Sequence, residues 1–269
     1  ASALIDTIYR DLRSLIIGKM YAPAMLGFYN RGQQFPSVVV SNINGSIQSV
    51  MLPVLSSHQE NRPRVKEMMR RAIVTSSFII FPMMAGLAVV AEPLVKLLLT
   101  EKWLPCVPFL QIFCATYALM PIHTANLQAI NALGRSDIFL KLEIIKKIMG
   151  LSILAVTVFY GVYAIALGGA LGGLISTFIN AYPNKQLLRY SYKEQWIDIM
   201  PSLLLSLVMG AMVYSVKWLG LTVIGTLLIQ VCAGAALYLG MAWLFKLECF
   251  TYLLATGRGI LTSKNGGLA

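Results

Sequence analysis

The sequence has few charged residues. Only 12% of its 269 residues are Asp, Glu, Lys or Arg, while 57% are hydrophobic. A soluble domain carries about 25% charged residues, so this composition excludes a protein that is mainly covered by water. Acidic residues are the scarcest, with 11 against 22 basic residues, which gives a formal net charge of +11.

Residues that bind metals or act as nucleophiles are also scarce. The four cysteines form no C-x-x-C pair and lie in or beside apolar stretches, and there are only two histidines. This pattern disfavours a disulfide framework or a zinc site. We therefore expect no catalytic residue, no metal and no cofactor, and we do not expect an enzyme. The chain begins Ala1-Ser2-Ala3 without a signal-peptide pattern, so we expect a fragment of a longer protein.

Long apolar runs fill most of the chain. A helix needs about 20 mostly apolar residues to cross a bilayer, where it satisfies its own backbone groups. The runs are too long and too continuous for the strands of a membrane barrel. They predict an all-α, polytopic transmembrane bundle of about eight spans, at residues 4–29, 35–55, 72–91, 107–130, 144–160, 162–182, 199–216 and 221–245.

Basic residues divide unevenly between the predicted connections. Seventeen of the 22 belong to connections on one side, and Lys19 lies inside the first span. The other side has four: Arg31, Lys96, Lys102 and Lys217. Because short cytoplasmic loops are enriched in Lys and Arg, we expect both ends of the chain in the cytoplasm. The charge then serves topology and contact with anionic lipids, and we expect no nucleic acid partner.

Polar residues recur through the second predicted span. Gln34, Ser37, Ser41, Asn44 and Gln48 are three or four positions apart, so they share one face of a helix. A polar stripe at membrane depth must face partner helices or a wet cavity. Five stacked polar side chains favour a cavity lining, and polar packing between helices is the alternative.

The fourth predicted span has a second polar group near its cytoplasmic end. His123 and Asn126 follow Pro121, which should kink the span. We predict that both side chains line the same cavity. A packing role is the alternative for a single His on a helix.

Two basic residues are candidates for contact with an anion. Lys19 is ten residues before Tyr29, about 15 Å along a helix, which places it deep in the first span, although snorkelling toward the cytoplasmic side is the alternative. Arg31 is predicted in the outer turn after Tyr29, as a fork for a phosphate or as an interfacial anchor.

Acidic residues are absent from the central stretches of predicted spans two to eight, so we expect no buried carboxylate there. The sixth span instead has two overlapping G-x-x-x-G patterns, Gly168 with Gly172 and Gly169 with Gly173. These patterns are typical of close helix packing in lipid.

Four segments resemble a known family. The chain is similar to the Wzx-type oligosaccharide flippases of the multidrug, oligosaccharidyl-lipid and polysaccharide exporter superfamily. The segments are LGFYNRGQQFP at 26–36, GSIQSVMLPVLS at 45–56, AEPLVKLLLTEKWLPCVPFLQIF at 91–113 and NLQAINALGRSDIFLKLEIIKK at 126–147.

The resemblance implies two six-helix lobes around a central cavity, which carry an undecaprenyl-diphosphate-linked oligosaccharide across a bacterial inner membrane by alternating access. Residues 1–190 would be the second lobe and 191–269 an additional C-terminal helix pair with a tail, with the N-terminal lobe missing. Expected partners are the lipid-linked oligosaccharide, membrane lipids and that lobe. The resemblance gives Lys19 and Arg31 the role of meeting the diphosphate.

Three alternatives remain open. A cation-coupled exporter of small drugs from the same superfamily would be favoured by acidic residues in the cavity. A membrane-embedded glycan polymerase or ligase would need catalytic residues on a sizeable outer loop, and the longest such connection is 92–106. A structural membrane partner without transport would not need polar stripes.

Overall fold

The structure is a computed structural model that describes residues 12–251. Within this range it contains helices, turns and no strand, so the all-α prediction is confirmed. The helices are α1 (12–20), α2 (Pro23–Ser56), α3 (Arg62–Val89), α4 (Ala91–Leu99), α5 (Val107–Ala118), α6 (Met120–Ala132), α7 (Ser136–Thr157), α8 (Val162–Leu187), α9 (Tyr192–Tyr214) and α10 (Val223–Leu244). Short 3₁₀ turns cover Glu101–Cys106 and Ser215–Leu219.

Six segments within residues 12–251 are long and apolar enough to cross a membrane. They are α2, α3, the stretch Glu101–Ala132, α8, the stretch Tyr192–Leu219 and α10. The helix α7 has 22 residues and packs along α8, but its charged residues keep it out of this group. The predicted first span lies partly outside the described residues, so the count of about eight is approximate.

The predicted boundary between spans one and two is wrong. No turn follows Tyr29, because α2 runs without interruption from Pro23 to Ser56. The break lies at Tyr21 and Ala22, where Ala22 has extended backbone angles and Pro23 takes the first helical turn. Proline disfavours a helical residue before it and is well suited to the start of a helix.

The polar run around Gly32 lies in close contact with α5. A Cβ atom at this position would lie 2.6 Å from Cβ of Phe109 and 3.0 Å from the carbonyl oxygen of Cys106. The glycine therefore lets the backbone of α2 approach α5 closely. Pro36, which we predicted in the first turn of a span, lies buried inside α2.

The predicted fourth span is interrupted as expected. The helices α5 and α6 are separated at Leu119, two residues before Pro121. Proline has no N–H to donate and disturbs the preceding turn, which accounts for the interruption here. The lower half, α6, then packs against α2, α3 and α8.

Contacts between distant residues define the two ends of the bundle. At one end Lys66 pairs with Glu194 at 3.2 Å and Arg70 with Asp198 at 2.9 Å. At the other end Lys217 pairs with Glu92 at 2.7 Å. We call the first the basic end, because the turns at 57–61, 133–135 and 188–191 lie there beside most of the basic residues. Which end faces the cytoplasm stays a prediction.

The outer surface of the bundle is apolar where no helix covers it. On α7 and the turn after it, Ile148 is 61% exposed, Leu151 42% and Phe159 79%. Such side chains are stable against lipid tails and costly in water. The bundle is therefore suited to a membrane on this side.

Candidate functional site: a hydrophilic helix face and a basic cavity

One long side of α2 is hydrophilic and is not covered by another helix among residues 12–251. Between positions 30 and 49 its exposed residues include one large apolar side chain, Val38. The others are Asn30, Arg31, Gln34, Ser41, Asn42, Gly45, Ser46, Gln48 and Ser49. At 1.5 Å per residue this face extends for about 28 Å, which is close to the thickness of a bilayer core.

The serines of this face have satisfied hydroxyl groups. Ser41 donates to the carbonyl oxygen of Val38 at 3.1 Å, and Ser46 donates to that of Asn42 at 3.0 Å. Their oxygens still have lone pairs that can accept hydrogen bonds from outside the helix. The face therefore presents hydroxyl and amide groups, without a carboxylate.

The predicted stripe is confirmed as a helix face in part. Gln34, Ser41 and Gln48 are exposed, and Ser37 is half-buried. Asn44 lies at the edge of the stripe, is 5% exposed and donates to the hydroxyl of Thr124 at 2.6 Å. Its side chain therefore connects α2 to α6 instead of facing the open side.

Arg31 does not lie in an outer turn, because it occurs nine residues into α2. Its Nη1 donates to Oε1 of Gln34 at 2.6 Å, and its guanidinium lies 5.6 Å from the ring centre of Trp103. The aromatic ring and the amide hold the guanidinium on the hydrophilic face. Arg31 and Gln34 are thus brought together as predicted site residues.

Lys19 is not joined to Tyr29 by a continuous helix, as its predicted depth required. The helix α1 ends at Met20, so Lys19 is one residue from a helix end and is exposed. The estimate of 15 Å assumed a helix continuing to Tyr29, and that helix does not exist. Lys19 is not among the lining residues of the cavity of about 400 Å³ that lies between α1, α2 and α5–α8.

A second polar region lies between α1, α2 and α5–α8. It is a cavity of about 400 Å³ whose lining includes Arg13, Glu143, Lys146 and Lys147. His123 also lines it, and Nδ1 of its ring lies 3.0 Å from Nδ2 of Asn180. We call this space the basic cavity.

Three charged residues of the basic cavity, Glu143, Lys146 and Lys147, lie on α7 and were not predicted there. We predicted a fifth span from residue 144 and assigned Lys146 and Lys147 to a connection, whereas α7 begins at Ser136. Glu143 lies inside α7, one residue before the predicted start of the fifth span, and its side chain is only 16% exposed. The turn-forming Gly134 and the Ser136-Asp137 pair would have indicated the earlier start.

Asn126 lies in a packed network of amides instead of a cavity. It is fully buried, and its Nδ2 donates to Oε1 of Gln195 at 2.7 Å. Its Oδ1 accepts from Asn184 at 2.8 Å and from Gln195 at 3.1 Å. Asn126, Asn184 and Gln195 form what we call the amide cluster, which joins α6, α8 and α9.

Among residues 12–251 no three His, Cys, Asp or Glu side chains are grouped as a metal site would require. The long connection 91–106 is folded into α4 and a 3₁₀ turn. The fold and the open hydrophilic face define a multi-pass helical membrane protein.

Comparisons with known proteins agree with the resemblance. The family described as "Polysaccharide biosynthesis protein" matches residues 1–108. The teichuronic acid biosynthesis protein TuaB of Bacillus subtilis (strain 168) is 22% identical over 89% of this chain and 50% of its own length. The lipopolysaccharide biosynthesis protein WzxC of Escherichia coli (strain K12) is 24% identical over 78% of this chain and 44% of its own.

A solved structure shares the fold. The lipid II flippase MurJ in an inward closed conformation gives a TM-score of 0.72 at 16% identity, over 88% of this chain and 51% of that one. The predicted resemblance is confirmed, since this chain is similar to Wzx-type polysaccharide biosynthesis proteins. It spans about half the length of these relatives or less.

Proposed function

We propose that this chain is part of a flippase that moves an undecaprenyl-diphosphate-linked oligosaccharide across a bacterial inner membrane by alternating access. It acts as a transporter rather than an enzyme, since no bond has to be made or broken. Both ends of the chain are cytoplasmic in this proposal, and a facing lobe completes the chamber.

The open hydrophilic face of α2 carries the proposal. A transmembrane helix gains nothing from serines and amides that face lipid, because lipid offers them no hydrogen bonds. A face of about 28 Å with these groups is stable where water or a second lobe meets it. Sugar hydroxyls donate and accept hydrogen bonds, so Gln34, Ser41 and Gln48 suit a glycan of varied stereochemistry.

Arg31 is the proposed contact for the diphosphate on this face. A guanidinium binds phosphate oxygens through paired N–H groups, and its electrostatic attraction to the phosphate is strongest where water is partly excluded. Gln34 and Trp103 hold it in position, which lowers the entropy cost of binding. The role proposed for Lys19 has no comparable support, because Lys19 lies at a helix end.

The relatives support the same class of function. One is named for teichuronic acid biosynthesis and another for lipopolysaccharide biosynthesis, and the solved structure is named a lipid II flippase. All three names concern saccharides that are assembled for the cell surface. The proposal gives the class of the glycan and does not name a particular one.

A matched pair of serines tests the proposal. Ser41→Leu in the full-length protein places a large apolar side chain on the hydrophilic face, and we expect it to abolish surface polysaccharide in a strain that lacks its own copy. Ser152→Leu is the control, because Ser152 is equally exposed but lies next to the apolar Leu151 on α7.

Polysaccharide would be measured on gels and membrane abundance by immunoblot. Both variants should reach wild-type abundance, and only Ser41→Leu should lose polymer. Full polymer output from Ser41→Leu would refute the role of this face.

One observation favours the second candidate, a cation-coupled exporter of small drugs. Glu143 is a largely buried carboxylate inside α7, and carboxylates within membrane bundles often serve ion coupling. Its pairing with Lys146 argues for the first candidate. The exporter would be favoured if deletion of the gene raised drug sensitivity and reintroduction of the gene restored resistance. Surface polysaccharide should then be unchanged in the deletion strain.

A further inference from the structure

Hydrogen-bonded side chains join α6 to the helix on each of its sides. Toward α2, Nδ2 of Asn44 donates to the hydroxyl of Thr124 at 2.6 Å, and Nε2 of Gln128 donates to Oε1 of Gln48 at 3.4 Å. The bonded positions are four apart on both helices, so the two bonds are about one turn apart. We call these four residues the α2 seam.

Toward α8, a second row of bonded side chains has a similar spacing. Nδ2 of Asn180 lies 3.0 Å from Nδ1 of His123, and Nδ2 of Asn184 donates to Oδ1 of Asn126 at 2.8 Å. We call these four residues the α8 seam. In both seams the residue numbers rise in the same direction on the two helices, so α6 runs parallel to α2 and α8 at these contacts.

Both seams contain buried amide oxygens without a donor. Within residues 12–251 six buried side-chain atoms have no hydrogen-bond partner, and four of them belong to the seams. They are Oδ1 of Asn44, Oε1 of Gln128, Oδ1 of Asn180 and Oδ1 of Asn184. Because an unpaired buried acceptor raises the free energy of a structure, another arrangement of these amides can compete with the observed one.

A displacement of α6 by one turn, about 5.4 Å, toward Leu119 pairs the amides of the α2 seam. It brings Gln128 to the level at which Thr124 now lies, beside Asn44. Each amide has donors and an acceptor, so each can supply a donor to the unpaired oxygen of the other. Gln48 loses its contact of 3.4 Å, but its side chain is exposed and can bind water instead.

The same displacement pairs the amides of the α8 seam. Asn126 then lies beside Asn180, at the level at which His123 now lies. Asn184 and Gln195 at present both donate to Oδ1 of Asn126, at 2.8 and 3.1 Å, so these two side chains are neighbours. Once Asn126 is displaced, Nε2 of Gln195 can donate to the unpaired Oδ1 of Asn184.

The remaining surface of α6 is suited to movement. Ala125, Ala129 and Ala132 are at most 3% exposed, and their short side chains interlock little with the neighbouring helices. The backbone ladder is interrupted between Leu119 and Pro121, because proline has no N–H to donate. Shifts of one packed helix against another by a full turn are an established form of switching.

We propose that α6 has two positions against α2 and α8, one turn apart, and that it alternates between them during transport. In the observed position Asn44 pairs with Thr124, and in the second position it pairs with Gln128. The second position also releases the amide of Gln48 to the hydrophilic face of α2, so a bound glycan would favour it. The part in transport rests on the proposed function, whereas the existence of the second position does not.

Two diagonal cysteine pairs in the α2 seam test the displacement. Asn44→Cys with Gln128→Cys joins positions that the displacement brings level, whereas Gln48→Cys with Thr124→Cys joins positions that it moves two turns apart. In the observed position both pairs are offset by one turn, in opposite directions. A disulfide requires close Cβ atoms, so we expect the first pair to form it several-fold faster than the second.

The measurement uses the full-length protein with its other cysteines replaced by alanine, oxidised in native membranes. A protease site in the turn 57–61 lies between the two cysteines, so a cross-link holds the two fragments together on a gel. Thermal unfolding shows that each variant is folded. Equal rates for the two pairs, or a faster rate for Gln48→Cys with Thr124→Cys, would overturn the proposal.

The α8 seam provides an independent repeat, with a protease site in the turn 133–135. Asn126→Cys with Asn180→Cys should cross-link several-fold faster than His123→Cys with Asn184→Cys. Movement of α6 as one body requires the same direction in both seams, and opposite directions would contradict it. The α2 seam alone decides the question if the Asn126 variant does not fold.

A third pair tests the part in transport. A cross-link between Asn44→Cys and Thr124→Cys holds α6 in the observed position, and we expect new surface polysaccharide to stop under oxidant and to resume after reduction. Ala85→Cys with Gly210→Cys is the control, because a Cβ atom at Gly210 would lie 3.8 Å from that of Ala85. This cross-link joins α3 to α9, which keep their contact in the proposal, so polymer output should continue.

Full polymer output while Asn44→Cys and Thr124→Cys are cross-linked would remove the displacement from the transport cycle. That result would leave the transport proposal itself intact, since the reduced variant still delivers polysaccharide. The Ser41→Leu experiment tests the transport proposal separately.

Discussion

The amide cluster and the hydrophilic face of α2 contain the same kinds of side chain in opposite surroundings. In the cluster Asn126, Asn184 and Gln195 are buried and bind one another across three helices. On α2, Asn42 and Gln48 are exposed, and Asn42 donates to its own helix. Polar residues at membrane depth therefore have two uses, and the partners of their amides distinguish packing from a wet surface.

The two regions should differ in how much their side chains contribute to the free energy of unfolding. A buried amide that loses its partner costs about 1–3 kcal/mol, whereas an exposed amide exchanges its partner for water at little cost. Substitutions in the cluster should therefore affect folding, and substitutions on the α2 face should affect function.

The largest effect is expected for Asn126→Leu. It keeps the volume of the side chain but removes the acceptor of both Asn184 and Gln195, and we expect the free energy of unfolding to fall by about 3 kcal/mol. Asn42→Leu is the matched control on the exposed face and should change it by less than about 0.5 kcal/mol. Thermal unfolding in detergent measures both, and equal effects would end the distinction between the two regions.

A smaller effect is expected beside the cluster at Tyr190. Burial and a hydrogen bond to Asp198 raise the pKa of the Tyr190 phenol far above its usual value near 10. The protonated phenol is therefore favoured in the folded state, so this stabilisation is present below pH 10 and decreases as the pH rises above the unfolded pKa.

Tyr190→Phe removes the hydrogen bond and should lower stability by about 1 kcal/mol at neutral pH. The variant should also lose less stability than the wild type between pH 10 and 11. Unfolding curves over this range check the sign, and a steeper alkaline loss in the variant would contradict the assignment.

The smallest effect is expected for Gln48→Ala on the α2 face. Gln48 has one long contact, 3.4 Å to the amide of Gln128, and is exposed. We expect a change in unfolding free energy within about 0.5 kcal/mol. A loss similar to that of Asn126→Leu would show that the open side of α2 is covered in the full-length protein by a tightly packed surface.

Hydrophobic runs in the sequence predicted much of this architecture. Apolar stretches predicted the helices α3, α8, α9 and α10 because lipid forces each segment to satisfy its own backbone. The break near Pro121 was predicted because a proline cannot continue the hydrogen-bond ladder. The structure of polar segments was harder to predict. The polar run around Gly32 was predicted as a turn, because its packing against α5 cannot be inferred from the sequence.

The site residues were likewise predictable only where a local sequence pattern indicated their position. Gln34, Ser41 and Gln48 were found by helical spacing, since the 3.6-residue period is a local property of the chain. Asn44 and Asn126 carry the same spacing signal but point to other helices. Glu143 was missed, because a charge beside the predicted span boundary at 144 gives no sign that the helix extends past it.

The sequence by itself determined that this protein is a bundle of membrane helices, because composition and hydrophobic length depend only on local chemistry and the surrounding solvent. Only the tertiary structure decided which polar groups are packed and which are open, and that Arg13, Glu143 and Lys146 meet in one cavity. Arg13 and Lys146 are 133 positions apart in the chain, so both line one cavity only because of how the helices pack.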